Sequence, residues 1–418
     1  GERADMTRLG ELLGRAVGPA LALVSAFALG AILIVLTDVE HLQHLGSDPV
    51  NALAGAIGGV VEGYGAMLSG AIGDPGRIVG AIRTGDPSDI ANAIRPIAES
   101  LVSATPFIFV GLGLAVSFQA GLFNLGAQGQ FLIGGLGAAF TAFLLQGLLP
   151  SFVILVMALA GGTIAGAAYG FVPGFLKART GAHEVITTLM LNSIAPEIMI
   201  LAISAGDFSG SLTAIAQVPR LVELRAIRLD WGFLVALLTA ATVSFVLFRT
   251  RLGFELRATG FSRSAARGAG MSPGRSMVLA MSLSGGLAGL GSAFLALGPA
   301  GGLGPVGDIG LVALALALLG GLRPSGVVLA ALLYGALNNG AKNMVIATGI
   351  PLALLVVIIA LAMMLVAAPG LIRSIWRLGP AGDDREVGPS DPVGRGTPRA
   401  GRSTFDGPED VSEGGSGG

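Results

Sequence analysis

The fold is decided by residues 100–176, which read SLVSATPFIFVGLGLAVSFQAGLFNLGAQGQFLIGGLGAAFTAFLLQGLLPSFVILVMALAGGTIAGAAYGFVPGFL. None of these 77 residues is Asp, Glu, Lys or Arg. Such a stretch cannot form a water-exposed surface, whereas a bilayer core about 30 Å thick needs segments of roughly 20 apolar helical residues. Three membrane crossings are therefore predicted here, separated by breaks at Gln119–Gly129 and near Pro150; they are 98–118, 125–147 and 152–176.

The composition of the whole chain agrees with this prediction. Of its 418 residues 53% are hydrophobic and 12% charged, and the mean hydropathy is +0.78. A soluble domain carries about 25% charged residues. A net charge of −1 gives no reason to expect a nucleic-acid partner. The absence of cysteine excludes disulfides and thiolate chemistry, and the three histidines form no His-x-x-x-His pair, so neither a metal site nor a cofactor is expected.

Working outward, further apolar runs predict seven more spans, at 16–37, 184–204, 231–248, 276–297, 308–322, 324–341 and 350–372. The fold class is therefore all-α, a polytopic transmembrane bundle of about ten spans. The pair on either side of Arg323 is short, so one or two broken or re-entrant helices are expected. Residues 51–72 are also apolar, but Glu62 and six glycines favour a surface-lying or re-entrant helix.

The loops predict an orientation, because basic residues in short loops resist translocation. Basic residues follow the fourth span, fill the loop 249–275 and follow the tenth span. All three clusters are cytoplasmic if both chain termini are cytoplasmic. The predicted cytoplasmic N-terminus is then 1–15 and the transmembrane domain is 16–373. Within this domain, 38–97 is an acid-rich extracytoplasmic segment. Residues 374–418 are polar and rich in Gly and Pro, which predicts a disordered cytoplasmic tail.

Polar residues at membrane depth mark the candidate solute path. The segment 119–130 holds four amides and three glycines in otherwise apolar sequence, which suits an interrupted helix. Its amides either line a watered cavity and bind a neutral polar solute, or cap helix ends at a tight turn. A second set lies at 184–192, where Glu184, Thr188 and Asn192 recur every four residues and share a helical face.

Three other polar features have two interpretations each. His183 and Glu184 begin a helix, as a solvated cap or as a proton relay. Glu197, after Pro196, is a carboxylate within an apolar span, either protonated, exposed at the lip of the span or functional. The cluster 338–343 holds three asparagines and Lys342, which either cap the outer end of the ninth span or contact solute.

Enzyme motifs are missing from the apolar part of the sequence. Neither lysine lies in a Gly-Lys-Ser/Thr motif, so no Walker A phosphate loop is present, and there is no His-Glu-x-x-His motif. The Gly-x-Ser-x-Gly match at 414–418 lies in linker-like sequence and follows no strand, so it does not indicate a hydrolase. A transporter of this kind depends on an ion gradient or on a partner ATPase.

The loop 249–275 bears on that choice. Ser262 can cap a short helix over Arg263–Ala269, which Gly270 would end. A small alanine-faced helix suits docking into a groove of a partner protein. The alternative, a basic loop held at lipid headgroups, explains the arginines but not the cap, helix and glycine.

Three motifs resemble one family. The run from Gly253 to Met271, GFELRATGFSRSAARGAGM, is similar to the coupling loop of ABC importer permeases that handle simple sugars, nucleosides and branched-chain amino acids. The runs GLFNLGAQGQ at 121–130 and GAHEVITTLMLN at 181–192 resemble two signatures of the same branch, and the resemblance covers about 95–375. The long segment after the first span is more similar to nucleoside (purine) permeases. Gln128 departs from the usual Glu, and His183 from the usual Asn.

This resemblance implies a permease subunit, not an enzyme, of an ABC importer in the plasma membrane of a prokaryote. The implied solute is a small polar molecule, a nucleoside. The alternatives are a simple-sugar (ribose-type) permease and, from composition alone, an ion-gradient-driven carrier. The implied partners are an ABC ATPase, a second related permease or a second copy, and an extracytoplasmic substrate-binding protein. The implied path residues are Phe123, Asn124, Gln128, Gln130, Thr188 and Asn192. The residues implied to couple to the ATPase are Gly253, Arg257, Ala258, Gly260, Ala265, Ala266, Arg267 and Gly270.

Overall fold

The structure, a computed structural model, describes residues 2–38, 43, 47–205, 217–220, 228–299 and 307–377. Within these residues the chain forms 15 helices, and Arg220 and Asp230 form an isolated antiparallel bridge. The helices are α1 (Glu2–Thr37), α2 (Pro49–Ile72), α3 (Pro75–Thr84), α4 (Pro87–Gln119), α5 (Ala127–Leu145), α6 (Ser151–Thr180), α7 (Glu184–Ala205), α8 (Trp231–Arg249), α9 (Arg251–Phe261), α10 (Arg263–Gly268), α11 (Pro273–Leu297), α12 (Ile309–Leu319), α13 (Pro324–Thr348), α14 (Leu352–Ala367) and α15 (Pro369–Ile375). The predicted all-α class is confirmed.

Eight of the described helices are long and apolar enough to cross a bilayer: α1, α2, α4, α5, α6, α7, α8 and α11. The shorter apolar helices α12 and α14 lie beside them, and α13 has 25 residues. The helix α12 has only 11 residues, as expected for a broken segment. Together these helices form the predicted polytopic bundle.

Glycines bring α5, α6 and α11 into close contact at the centre of the bundle. A Cβ on Gly166 of α6 would lie 2.3 Å from the carbonyl oxygen of Gly285 in α11. A Cβ on Gly134 of α5 would lie 2.2 Å from the Cα of Gly289. No larger side chain fits at these distances, so small residues set the spacing of the helices.

The helix α2 is long enough to span, but its contacts keep it at one end of the bundle. The Asn339 amide of α13 donates to the Gly70 carbonyl at 2.8 Å, and the Ser100 hydroxyl of α4 donates to the Ala71 carbonyl at 2.8 Å. About 28 Å of helix separates Ser100 from Gln119 at the far end of α4. The helix α2 therefore enters the bundle and stops part-way, which agrees with the predicted re-entrant helix.

The interpretation of the cluster 338–343 as the cap of a span is wrong. The helix α13 continues through it to Thr348, where Gly349 with a φ of 70° ends it. Instead, the Asn339 amide donates to carbonyls of α2 and α4. The Asn343 amide donates to the Ala66 carbonyl of α2 at 2.7 Å. These asparagines link three helices.

The chain divides into two compact units, Gly1–Ile372 and Arg373–Gly418. The helix α15 runs to Ile375, beyond the predicted start of the tail at 374. Most of the predicted tail, residues 378–418, lies outside the described residues. In the first unit, we call the end that carries α9 and α10 the loop end, and the opposite end, where α2 enters, the α2 end.

Candidate functional site

The segment 120–126 between α4 and α5 is a non-helical turn inside the bundle. Its Asn124 is buried, and the side-chain Nδ2 donates to the Gln130 Oε1 and to the Ser284 hydroxyl of α11, both at 2.9 Å. Ser284 lies about 16 Å along α11 from its start at Pro273, so the turn reaches well into the bundle. The predicted interrupted helix is present, and protein groups surround it.

Side-chain amides satisfy the backbone groups that the interruption leaves free. The Asn124 Oδ1 accepts from the Gly126 N–H at 2.9 Å, and the Asn192 Oδ1 of α7 accepts from the Gly129 N–H at 2.8 Å. The Asn192 amide also donates to the Leu125 carbonyl. Irregular backbone at membrane depth is tolerated only with such partners or in a watered cavity. Asn124 and Asn192 therefore hold the turn.

Gln128 lies where the N-termini of α5 and α12 meet. Its Oε1 accepts from the Gly310 N–H at 2.9 Å, and its Nε2 donates to the Gly307 carbonyl at 3.0 Å. A glutamate, usual at this position in the family that the motif resembles, could accept but not donate. The amide thus fits both groups of this chain, and Gln128 stays half-buried.

The remaining path candidates differ in exposure. Gln130 and Thr188 are buried, and the Thr188 hydroxyl donates to the Glu184 carbonyl at 2.8 Å. Phe123 is 39% exposed, and its ring meets that of Phe118 edge-on at 4.8 Å between centroids. The six predicted residues therefore surround one turn, and of these Phe123, Gln128 and Asn192 keep some exposed surface.

The helix α9 is fixed to the end of α8. The Arg257 Nε donates to the Leu247 carbonyl at 3.1 Å, and its guanidinium lies 5.1 Å from the centre of the Phe248 ring. A Cβ on Gly253 would lie 2.1 Å from the Val246 carbonyl oxygen. These two predicted coupling residues hold α9 in place.

Gly260, near the end of α9, packs directly on the end of α4. A Cβ at Gly260 would lie 2.3 Å from the Gln119 carbonyl oxygen, and one at Gly121 would lie 2.9 Å from the Gly260 Cα. Gly121 has a φ of 71°, which favours glycine, and it begins the turn that Asn124 holds. The structure thus brings two predicted sites, loop and turn, into backbone contact.

The helix α10 is close to its prediction. The Ser262 hydroxyl caps it by accepting from the Ala265 N–H at 3.3 Å, and Gly270 follows with a φ of 78°. Ala266 is buried and Ala258 half-buried, while Ala265 and Arg267 are exposed. Phe261, which the sequence reasoning missed, is 96% exposed; an isolated aromatic residue between arginines was the available signal.

The α2 end holds a polar cavity of about 500 Å³. Its lining includes three basic side chains, those of Arg77, Arg95 and Lys342, and the carboxylate of Asp74. Glu99 and Arg228 also line it and form an ion pair, with 2.6 Å between Oε2 and Nη2. The hydrogen bond from Arg228 to Glu99 raises the pKa of the arginine. The lining of this cavity is charged, whereas the turn at 120–126 is neutral.

The helix α7 carries the other two polar features. Glu184 accepts from Lys177 at 2.7 Å, so it pairs with the end of α6, while His183 is exposed. Glu197 is exposed on α7, and among the described residues no ion pair or hydrogen bond involves its side chain. The helix α7 begins at Glu184, as predicted, and the Lys177 ammonium is the partner of this carboxylate.

The family model for the permease component of the branched-chain amino acid transport system matches residues 97–368. This match covers more than half of the chain, and it includes the turn, the loop 249–275 and the glycine contacts. The chain therefore belongs to this family of permeases.

Several characterised permeases are similar over most of the chain. The guanosine ABC transporter permease protein NupP of Bacillus subtilis is 33% identical over 85% of this chain and 94% of its own length. The nucleoside ABC transporter permease protein NupB of Lactococcus lactis is 32% identical over 67% of this chain and 81% of its own. The glucose ABC transporter permease protein TsgB13 of Haloferax volcanii is 32% identical over 71% and 83%.

Proposed function

We propose that this family member is the permease subunit of a prokaryotic ABC importer and forms the transmembrane path for nucleosides. The nucleoside assignment is supported by the names of two relatives that share about a third of their residues with this chain, a guanosine and a nucleoside permease. A separate ATPase supplies the energy, and an extracytoplasmic binding protein delivers the solute. A second permease subunit, related or identical, completes the path.

The observation that carries this proposal is the backbone contact between Gly260 and the segment Gln119–Gly121. If α9 and α10 dock on an ATPase, their displacement must reach a segment that contacts the solute. Because Gly260 touches the end of α4 with no side chain between them, a displacement of α9 moves the turn at 120–126 directly. An ion-gradient-driven carrier has no need for this contact.

The ATPase docks on the outer surface of α9 and α10. The exposed residues there include Phe261, Ala265 and Arg267, which present an aromatic ring and a positive charge. An aromatic residue at the centre of an interface is a frequent binding hot spot. The inward residues Gly253, Arg257, Gly260 and Ala266 transmit the motion and do not bind the partner themselves.

With the ATPase at α9 and α10, we infer that the loop end is cytoplasmic and the polar cavity extracytoplasmic. Both chain termini are then cytoplasmic, in agreement with the clusters of arginine in the loop 249–275 and after α15. Phe123 and Gln128 face the solute, whereas Asn124, Gln130, Thr188 and Asn192 hold the turn in shape.

Uptake by cells that express the complete importer tests the proposal. Radiolabelled guanosine is expected to accumulate, with unlabelled adenosine and uridine as competitors and ribose and glucose as controls. Collapse of the ion gradients at constant ATP should leave uptake unchanged, while ATP depletion should abolish it. Uptake that follows the ion gradient instead would contradict an ABC importer.

A simple-sugar permease is the second candidate, supported by the glucose permease relative from Haloferax volcanii. Ribose is common to nucleosides and simple sugars, so a path for one can resemble a path for the other. The same competition experiment separates the two, because a sugar permease would be inhibited by ribose or glucose and not by uridine.

A further inference from the structure

The helix α7 has one face against the bundle and one face away from it. Its buried positions are Thr188, Ala195 and Met199, which lie on one side at 100° per residue. Glu197 lies about 180° away from the middle of that side. Its carboxylate is therefore at the centre of the face that this chain leaves uncovered.

Polar residues form a stripe along this face. Ser193, Glu197 and Ser204 are all exposed and fall within about 40° of one another around the helix. The serine hydroxyls donate to carbonyls of their own helix, Ser193 to Leu189 and Ser204 to Leu201. Neighbouring exposed residues, such as Met190 and Leu201, are apolar. The stripe is thus a narrow polar line on an otherwise apolar helix.

Glu197 is at membrane depth. It lies about 20 Å along the helix from Glu184, within a bilayer core of about 30 Å. A carboxylate there is costly if it faces lipid, and such residues almost always face a cavity or a partner helix. Since no described residue of this chain pairs with it, the partner surface is water or another molecule.

Pro196 adds a second polar group beside Glu197. Proline has no N–H, so the Asn192 carbonyl lacks its usual helical donor. The Asn192 side chain meanwhile holds the turn at 120–126. Asn192, which supports the turn, thus lies five residues before Glu197, about 7.5 Å away along the helix axis.

We propose that Glu197 is a solute-binding residue, whose carboxylate faces a water-filled path between α7 and the second permease subunit and accepts hydrogen bonds from the ribose hydroxyls of a nucleoside. This inference rests on the proposed function and names a contact within it. A carboxylate has two acceptor oxygens and can receive both hydroxyls of a vicinal diol. The contact selects ribose over sugars that lack the two hydroxyls.

Thiol labelling of the assembled importer tests whether Glu197 faces water. The chain contains no cysteine, so each Cys variant carries a single thiol in this subunit. The variants are Glu197→Cys and Ser193→Cys on the stripe, with Leu238→Cys as the control, since Leu238 is 67% exposed on the apolar helix α8. A charged, membrane-impermeant methanethiosulfonate should modify the two stripe positions at least about tenfold faster than position 238, because it reacts with ionised thiols in water.

Uptake kinetics test the hydroxyl contact. In Glu197→Ala, the maximal rate of guanosine uptake at saturating binding protein should fall about tenfold, while that of 2′,3′-dideoxyguanosine, which has neither hydroxyl, should stay within about twofold of the parent value. Glu197→Gln keeps one acceptor and should be intermediate. Equal changes for both solutes would overturn the contact.

The two experiments separate this inference from the proposed function. If the parent importer carries guanosine and position 197 is labelled no faster than position 238, the inference is wrong and the function stands. If the parent importer carries no nucleoside, the proposed function is wrong, and with it the hydroxyl contact, whatever the labelling shows.

Discussion

The loop end and the α2 end are stabilised by different kinds of interaction. At the loop end, backbone lies on backbone at Gly260, and neutral amides of Asn124 and Asn192 satisfy buried groups. At the α2 end, arginines and a lysine surround a cavity of about 500 Å³, and a partly exposed ion pair lies across it. The contacts at Gly260 and in the turn 120–126 are closely packed and neutral, whereas the cavity at the α2 end is open and lined by charged side chains.

This difference indicates two mechanical roles. Close backbone contact transmits displacement, because packed interiors have few voids in which to absorb it. Exposed ion pairs contribute about 0–1 kcal/mol, so they can break and re-form at little cost. The loop end is therefore suited to transmit a displacement of α9 to the turn 120–126. The cavity at the α2 end is suited to open and close as its ion pair breaks and re-forms. Four substitutions test this contrast.

The largest effect is expected at Gly260. The Cβ of Gly260→Leu would lie within 2.3 Å of the Gln119 carbonyl oxygen, so α9 must shift away from α4. Such overpacking costs about 1–3 kcal/mol, which corresponds to a loss of uptake of about 5- to 150-fold. Gly80→Leu in α3, where a Cβ meets no atom within 4 Å, is the matched control at the α2 end.

The ATPase rate of the same complexes shows how the change acts. In Gly260→Leu, ATP hydrolysis should continue without matching uptake, whereas Gly80→Leu should keep both. Equal uptake in the two variants would mean that the contact at Gly260 transmits nothing.

The second effect is on stability, at Asn124. In Asn124→Ala, Gln130, Ser284 and the Gly126 N–H lose their buried partner. Buried groups without partners cost about 1–3 kcal/mol each, so the loss of all three contacts should lower the free energy of unfolding by at least about 3 kcal/mol. Thermal unfolding in detergent measures this. Asn92→Ala, in the lining of the cavity, should change it by less than about 0.5 kcal/mol.

The third effect depends on pH, at Asp230, which precedes α8 near the α2 end. Burial raises the pKa of Asp230 to about 6, against hydrogen bonds from the Gly232 and Phe233 N–H groups that lower it. The folded state therefore holds the proton more tightly than the unfolded state. This contribution to stability is complete below about pH 4 and is lost as the pH rises to about 6.

Asp230→Asn removes that loss and keeps a helix-capping acceptor. The unfolding temperature of the variant, relative to the parent, should therefore increase between pH 4 and 6 and stay level above. The change corresponds to about 1–3 kcal/mol. A difference that is constant over this range would show that Asp230 does not titrate there.

Local patterns predicted the helices well. The uncharged stretch 100–176 contains the predicted crossings within α4, α5 and α6, and the cap at Ser262 and Gly270 predicted α10 to within a residue. These features depend on residues close in sequence, such as the cap and its N–H. The amide-rich segment 119–130 likewise predicted a break in the helix.

Hydrogen bonds between residues distant in sequence could not be predicted from local patterns. Asn339 was expected to cap a helix because three asparagines and a lysine end an apolar run, yet its amide donates to Gly70, 269 positions away. The partner of Asn124 in α11 is 160 positions away. A sequence pattern shows that a buried amide needs a partner but not which helix supplies it. The motifs therefore selected residues that the structure brings together at one turn, but they did not predict the contacts among them.

The smallest effect is expected at the ion pair of Glu99 and Arg228. The two side chains are 12% and 44% exposed, so water and salt reach the pair, and Glu99→Gln should lower the unfolding free energy by no more than about 1 kcal/mol. At 1 M salt the Debye length is about 3 Å, and most of this difference should disappear. The loss caused by Asn124→Ala should persist at the same salt concentration, since its partners are neutral and buried. Thermal unfolding of both variants at low and high salt therefore measures the contrast itself, and equal salt dependence at the two ends would contradict it.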